Sequence, residues 1–162
     1  MKSKHRLYSM ILSAVVFLLV SCKDENAVIG QQAPEIAAFD LQGNKVTLAT
    51  WKNQNLLLTF WSESCGVCIA ELKELEKTAQ AYPDKLQLVA INVDGEKADT
   101  QAVVEKHRLT MPVIKDQIKI TAERYRLNGT PTSFVIDKQG KILDKFEGLI
   151  PQEALAKLVN QG

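Results

Sequence analysis

Asn55-Leu56-Leu57-Leu58-Thr59-Phe60-Trp61-Ser62-Glu63-Ser64-Cys65-Gly66-Val67-Cys68 holds two signals side by side. Asn55–Trp61 is a short apolar run bounded by Lys52-Asn53-Gln54. That pattern predicts a strand buried on both faces. Behind it, Cys68, Leu72, Leu75, Ala79 and Tyr82 recur at spacings of 4, 3, 4 and 3. This is one apolar stripe of an amphipathic helix, ended by Pro83-Asp84. The C-x-x-C therefore opens a helix directly after a buried strand.

That placement has chemical consequences. The first turn of a helix presents unpaired N–H groups and the positive end of the dipole. Both favour thiolate over thiol. Cys65 occupies that end, and Cys68 lies one turn on, in line with the apolar stripe. The pair reads as an exposed nucleophile and a shielded resolving thiol, the arrangement that thiol–disulfide exchange requires. Metal binding and inert structural pairing are the alternatives. A tetrahedral zinc site wants four ligands, and the chain has a single C-x-x-C. His107 sits among Glu105, Lys106 and Arg108, where a solvated histidine is expected.

Working outward, Leu86–Val93 reads as a second buried strand closed by Asp94-Gly95, and Glu96–Arg108 as a helix with Ala102, Val103 and Val104 inward. Met111–Ile114 is a short extended piece and Ile118–Arg126 a short helix. Thr132–Ile136 and Lys141–Glu147 flank the turn Asp137-Lys138-Gln139-Gly140, so they form an antiparallel pair. Pro151–Val159 is a final helix with Ala154, Leu155, Leu158 and Val159 inward, and Ile36–Leu48 suggests a hairpin near the start. A βαβ unit followed by a hairpin and a helix implies an α/β fold, a mixed central sheet flanked by helices.

The stretch Phe60–Cys68 resembles the thioredoxin superfamily, together with Gly129-Thr130-Pro131-Thr132 further along. The resemblance makes Pro131 the cis proline facing the redox disulfide. It makes the Thr130 backbone a docking edge for substrate. Ala33-Pro34-Glu35-Ile36, the N-terminal hairpin, the insertion Glu96–Ile114 and Ser133–Lys141 are similar to the TlpA/ResA-like thiol–disulfide oxidoreductases. That resemblance, spanning about Ile29 to Val159, implies a thioredoxin-like fold. It also implies protein-disulfide reduction by the Cys65–Cys68 pair without a separate cofactor. Oxidised protein thiols, apocytochrome c among them, are the implied substrates, and a membrane thiol carrier the implied electron donor. Trp61, Glu63 and Ser64 would support the site.

Three departures from the pattern matter. Ser64 replaces the usual Trp before the first cysteine, which exposes Cys65 further. Thr59 stands where ordinary thioredoxins bury a proton-shuttling aspartate; Glu63 is a substitute shuttle or a surface glutamate. Gly66-Val67 replaces the Gly-Pro of thioredoxin, so no reduction potential carries over. A disulfide-donating oxidase and a non-catalytic thioredoxin-fold binding module are the alternative readings. A peroxiredoxin is another, because Ala33-Pro34-Glu35 also starts such chains. The eight residues ending at Cys65 nevertheless lack the P-x-x-x-T-x-x-C of peroxidase sites.

The N-terminus indicates where the chain works. Lys2, Lys4 and Arg6 precede the apolar stretch Leu7–Val20, which is too short for a comfortable membrane span and suits a secretory signal. Leu19-Val20-Ser21-Cys22 resembles the lipobox of bacterial lipoproteins. By that resemblance residues 1–21 are a cleaved signal, Cys22 carries lipid, residues 22–32 are a tether and residues 33–162 the thioredoxin-like domain. The implied location is the bacterial cell envelope, facing the periplasm. Lys23-Asp24-Glu25 resembles short signals that send some lipoproteins to the cell surface.

The remaining bounds come from composition. The 162 residues fit one domain, large enough to fold without a staple. The net charge is +1, or −2 once residues 1–21 are removed. No basic patch for nucleic acid is expected, and the protein is expected to be a monomer. Taking Cys22 as the lipid site leaves Cys65 and Cys68 as the redox couple.

Overall fold

A computed structural model describes residues 26–160. The signal, the lipobox and Cys22 lie outside them. Among the described residues, seven strands form one mixed sheet in the order β2-β1-β5-β4-β3-β6-β7, flanked by four α-helices. The strands are β1 (Ala38–Asp40), β2 (Lys45–Val46), β3 (Leu56–Trp61), β4 (Gln87–Asn92), β5 (Val113–Lys115), β6 (Thr132–Ile136) and β7 (Ile142–Glu147). The helices are α1 (Gly66–Ala81), α2 (Thr100–His107), α3 (Ile120–Arg124) and α4 (Gln152–Asn160). No described helix is long and apolar enough to cross a membrane.

β3 is the axis of the sheet. All six of its residues are buried, and it pairs in parallel with β4 and antiparallel with β6. Side chains alternate across a strand, and β3 uses the alternation to build two cores. Leu56, Leu58 and Phe60 enter a cluster with Tyr125 and Phe134. Leu57 and Trp61 point the other way: Leu57 meets Leu75 and Val159, and Trp61 meets Cys68 and Leu72. The second face thus packs directly on the helix that carries the cysteines, so the site is seated on the interior of the molecule.

Several boundaries differ from the sequence reading. Tyr82, the last residue of the α1 stripe, is 45% exposed because it caps the helix with non-helical dihedrals. α2 begins at Thr100 instead of Glu96, since the Asp99 carboxylate accepts the Ala102 N–H and starts the helix there. The irregular turn before it is held by Lys115 Nζ, which donates to the Glu96 and Ala98 carbonyls. Ala102 is exposed, while Val103 and Val104 pack inward. α3 is shorter than Ile118–Arg126, because Asp116 Oδ2 accepts the Ala122 N–H and fixes its start. Leu48–Trp51 forms a 3-10 turn that no periodicity announced. The N-terminal hairpin joins the main sheet at β5, antiparallel.

Candidate active site

β3 ends at Trp61, and the chain turns through Ser62–Ser64 into α1. The Cys65 N–H bonds the Ser62 carbonyl at 3.1 Å, closing that turn. Cys65 is the N-cap of α1. Its Sγ accepts the Cys68 N–H at 3.2 Å, so one orphan donor of the helix start points at the sulfur. Cys65 and Cys68 are joined by a disulfide, Cα to Cα 5.2 Å. Cys65 is half-buried and Cys68 fully buried. The asymmetry expected from the spacing is therefore present.

The second motif meets the first. Thr130–Pro131 is a cis peptide, and the Thr130 carbonyl oxygen lies 3.7 Å from Cys65 Sγ. Sixty-five residues of chain separate the two groups. Pro131 is buried, and its carbonyl accepts the Gly148 N–H at 2.9 Å, which ties the loop to the end of β7.

The other expected site residues fall into place less directly. Trp61 is fully buried beneath the pair, and its indole N–H finds no partner among the described residues. It packs in one cluster with Cys68 and has no exposure to solvent. Ser64 is exposed beside Cys65, and its Oγ lies 3.2 Å from Ser62 Oγ. Glu63 is half-buried; its Oε1 accepts the Thr100 hydroxyl at 2.9 Å, and its N–H bonds Asp94 Oδ2 at 2.6 Å. Thr59, at the position of the thioredoxin aspartate, pairs its hydroxyl with Ser133 Oγ at 2.9 Å, both fully buried. That place holds no ionisable group.

A buried carboxyl is supplied elsewhere, by Glu71, which the sequence reading passed over. It is 7% exposed and lies three residues after Cys68, a spacing that brings helical side chains together. Its Oε1 accepts the Ile150 N–H at 2.7 Å, and its Oε2 finds no partner among the described residues. Burial pushes this carboxyl above the usual range, and the Ile150 bond pulls it partly back. Glu71 also lines a groove of about 570 Å³ between α1 and α4, with Val67, Ala70, Glu74, Leu149 and Leu155. Val67, between the two cysteines, is 49% exposed at its mouth, and Leu149 is 57% exposed. The groove walls carry acids and no Lys, Arg or His. Among the described residues, no three His, Cys, Asp or Glu side chains converge as metal ligands would.

Known proteins resemble this chain over most of its length. A thioredoxin-like protein, YneN, of Bacillus subtilis is 34% identical over 78% of this chain and 75% of its own. The thiol–disulfide oxidoreductase ResA of Bacillus cereus is 28% identical over 99% of this chain and 98% of its own. The thioredoxin domain of a thiol–disulfide oxidoreductase from Bacteroides vulgatus superposes with a TM-score of 0.73 at 26% identity, covering 84% of this chain and 99% of that one. Residues 29–145 match the AhpC/TSA family, and with the C-x-x-C disulfide at a helix start against a cis-proline loop, the chain belongs to that thioredoxin-like family as a thiol–disulfide oxidoreductase of the ResA type.

Proposed function

We propose that this protein reduces protein disulfides in the bacterial cell envelope, held to a membrane by lipid on Cys22. The observation that carries the catalytic part is the unequal access of the two sulfurs. Cys65 is reachable beside the Thr130 carbonyl, and Cys68 is sealed behind it.

In the dithiol form, the Cys65 thiolate attacks one sulfur of a substrate disulfide. The substrate S–S bond breaks, the first substrate sulfur leaves as thiolate and takes a proton, and a mixed disulfide forms on Cys65. Cys68, having given up its proton, attacks Cys65 Sγ; the second substrate sulfur leaves and is protonated. Two electrons pass from enzyme to substrate, which becomes a dithiol, and the Cys65–Cys68 disulfide seen here is the product state. A membrane dithiol carrier must then reduce it. The Cys68 N–H at Cys65 Sγ stabilises the attacking thiolate. Glu71, buried and inclined to hold a proton, is the nearest carboxyl along the helix to exchange one with Cys68. The substrate backbone lies along Thr130, and its apolar flank lies in the groove that opens at Val67.

The apolar leader and lipobox support a lipid anchor and a place outside the cytoplasm. Apocytochrome c remains the leading substrate by resemblance to the ResA type. The test is direct. Cys65→Ser is expected to lower turnover of a protein disulfide at least about a thousandfold, and Cys68→Ser to accumulate mixed disulfides visible on non-reducing gels. Wild-type turnover in Cys65→Ser would end this mechanism. The AhpC/TSA match favours a second reading, thiol peroxidase. Hydroperoxide consumption faster than disulfide reduction would select it.

A further inference from the structure

Asp94 stands where β4 runs out, and its carboxylate does not face a core that needs it. The residue is exposed, so water would satisfy it. Instead, three donors converge on it. Ser62 Oγ donates to Oδ1 at 2.7 Å, the Glu63 N–H to Oδ2 at 2.6 Å and Asn92 Nδ2 to Oδ2 at 2.8 Å. Two of the three come from the turn that ends in Cys65. The fully buried Asn92 aims the carboxylate, since its Oδ1 also accepts the Asp94 N–H at 3.0 Å. Gly95 takes φ +89°, a conformation an L side chain rarely adopts, and this lets the chain reverse immediately after Asp94.

The bonds extend to the residue before the nucleophile. A hydroxyl has one proton, and Ser62 spends its own on Asp94. Ser64 is therefore the donor in the 3.2 Å contact between the two serine oxygens. The run Ser64 to Ser62 to Asp94 crosses the whole turn. Thr100 grips Glu63 from the start of α2 and holds the same turn at a second point. Burial raises the Asp94 carboxyl, but the bonds from Ser62, Glu63 and Asn92, with the charge of Lys119, outweigh it and keep the group ionised. Bonds to an ionised acceptor are the stronger kind.

We propose that Asp94 is a positioning residue for the redox pair: it fastens the Ser62–Ser64 turn and so delivers Cys65 to the N-cap of α1. Two contacts of Cys65 Sγ depend on that delivery, the Cys68 N–H at 3.2 Å and the Thr130 carbonyl at 3.7 Å. A sulfur displaced by a fraction of an ångström loses the N–H that stabilises its thiolate, and its attack geometry with it. The proposal rests on Cys65 being the attacking thiol, which Cys65→Ser tests separately.

The experiment uses the reduced full-length chain. The rate of iodoacetamide alkylation at Cys65 is followed against pH, resolved from the other cysteines by peptide mass spectrometry. Reduction of DTNB is measured in parallel. Ser62→Ala removes the side-chain bond of the clamp and leaves the Asp94 charge in place, whereas Asp94→Asn removes the charge and retains the size. Each is expected to raise the pH midpoint of Cys65 alkylation by about half a unit and to lower kcat/KM for DTNB about threefold to tenfold. The double variant should be no worse than the Asp94 single, because Ser62 acts through Asp94. Ser62→Thr, which keeps the hydroxyl, should behave as wild type. A lowered midpoint in Asp94→Asn with no change in Ser62→Ala would make Asp94 a charge and no clamp. Additive effects would put the two residues on separate paths. Unchanged midpoints and rates with a lower Tm would reduce the network to loop stability. Each of these three results overturns the proposal.

Discussion

Glu71 takes a carboxyl into surroundings that penalise its charge. Burial raises its proton affinity and the single bond from the Ile150 N–H offsets part of that. A carboxyl whose folded pKa exceeds its unfolded one favours folding fully below the unfolded value, and the advantage is lost as pH rises through the folded value. Glu71→Gln keeps a carbonyl for Ile150 and cannot ionise. The variant should therefore melt above the wild type at pH 8, and the gap should close as pH falls below the ordinary glutamate range, about 4.3. Calorimetry across that range decides it. A gap independent of pH would mean that the Glu71 charge carries no penalty. Sequence reading could not single this residue out, because an acid on an amphipathic helix reads as solvated. Its position three residues beyond Cys68 was the available signal. Cys65, Cys68 and Pro131 were legible for the opposite reason: each belongs to a short motif whose chemistry is local. Asp94 was legible only as a turn residue, since its partners lie about thirty residues away.

At the scale of elements, β3 and β6 are joined by more than their ladder. Thr59 faces Ser133 in the antiparallel register, and their hydroxyls bond at 2.9 Å with no exposure to water. The bond is satisfied as a pair and unsatisfied if halved. Thr59→Val strands the Ser133 hydroxyl and should cost about 1–3 kcal/mol in urea unfolding. Adding Ser133→Ala removes the stranded group and should recover much of that loss. Turnover per folded molecule should change little in either variant, because no proton leaves or enters at position 59. A large activity loss with intact stability would instead give Thr59 a part in the chemistry. The strand and helix of this region were legible because their apolar periods are unbroken over whole elements. The pairing of the N-terminal hairpin with β5 was not, because strands of three and two residues carry no period to read. The start of α2 was misplaced for a related reason: the cap at Asp99, and no hydrophobic repeat, sets it.

Across the whole molecule, the N-terminal stretch ties α3 to β7. Ala27 donates to Arg124 O, at the end of α3, at 2.8 Å, while Gly30 and Gln31 exchange bonds with Ile142 on β7. Ala33 donates to Gly140 O, and the Pro34 carbonyl accepts the hydroxyl of the fully buried Tyr125 at 2.8 Å. Backbone bonds of this kind leave no hydrophobic signature, so residues up to 32 read as tether although, among the described residues, bonding to the domain begins at Ala27. The consequence for an anchored protein is a short leash. From Cys22 to Ala27 the chain spans at most about 17–18 Å, which would keep the domain close to any membrane that holds the lipid. The strap also covers part of the exposed edge of β7. Chains beginning at Asn26 and at Ile36 distinguish strap from tether. The shorter one loses every bond from Ala27 to Pro34 and leaves the Tyr125 hydroxyl buried without its acceptor, about 1–3 kcal/mol for that group alone. Its urea midpoint should fall clearly below that of the longer chain, while the denaturant slope stays nearly the same. Equal midpoints would return residues 27–34 to the tether and restore the longer reach.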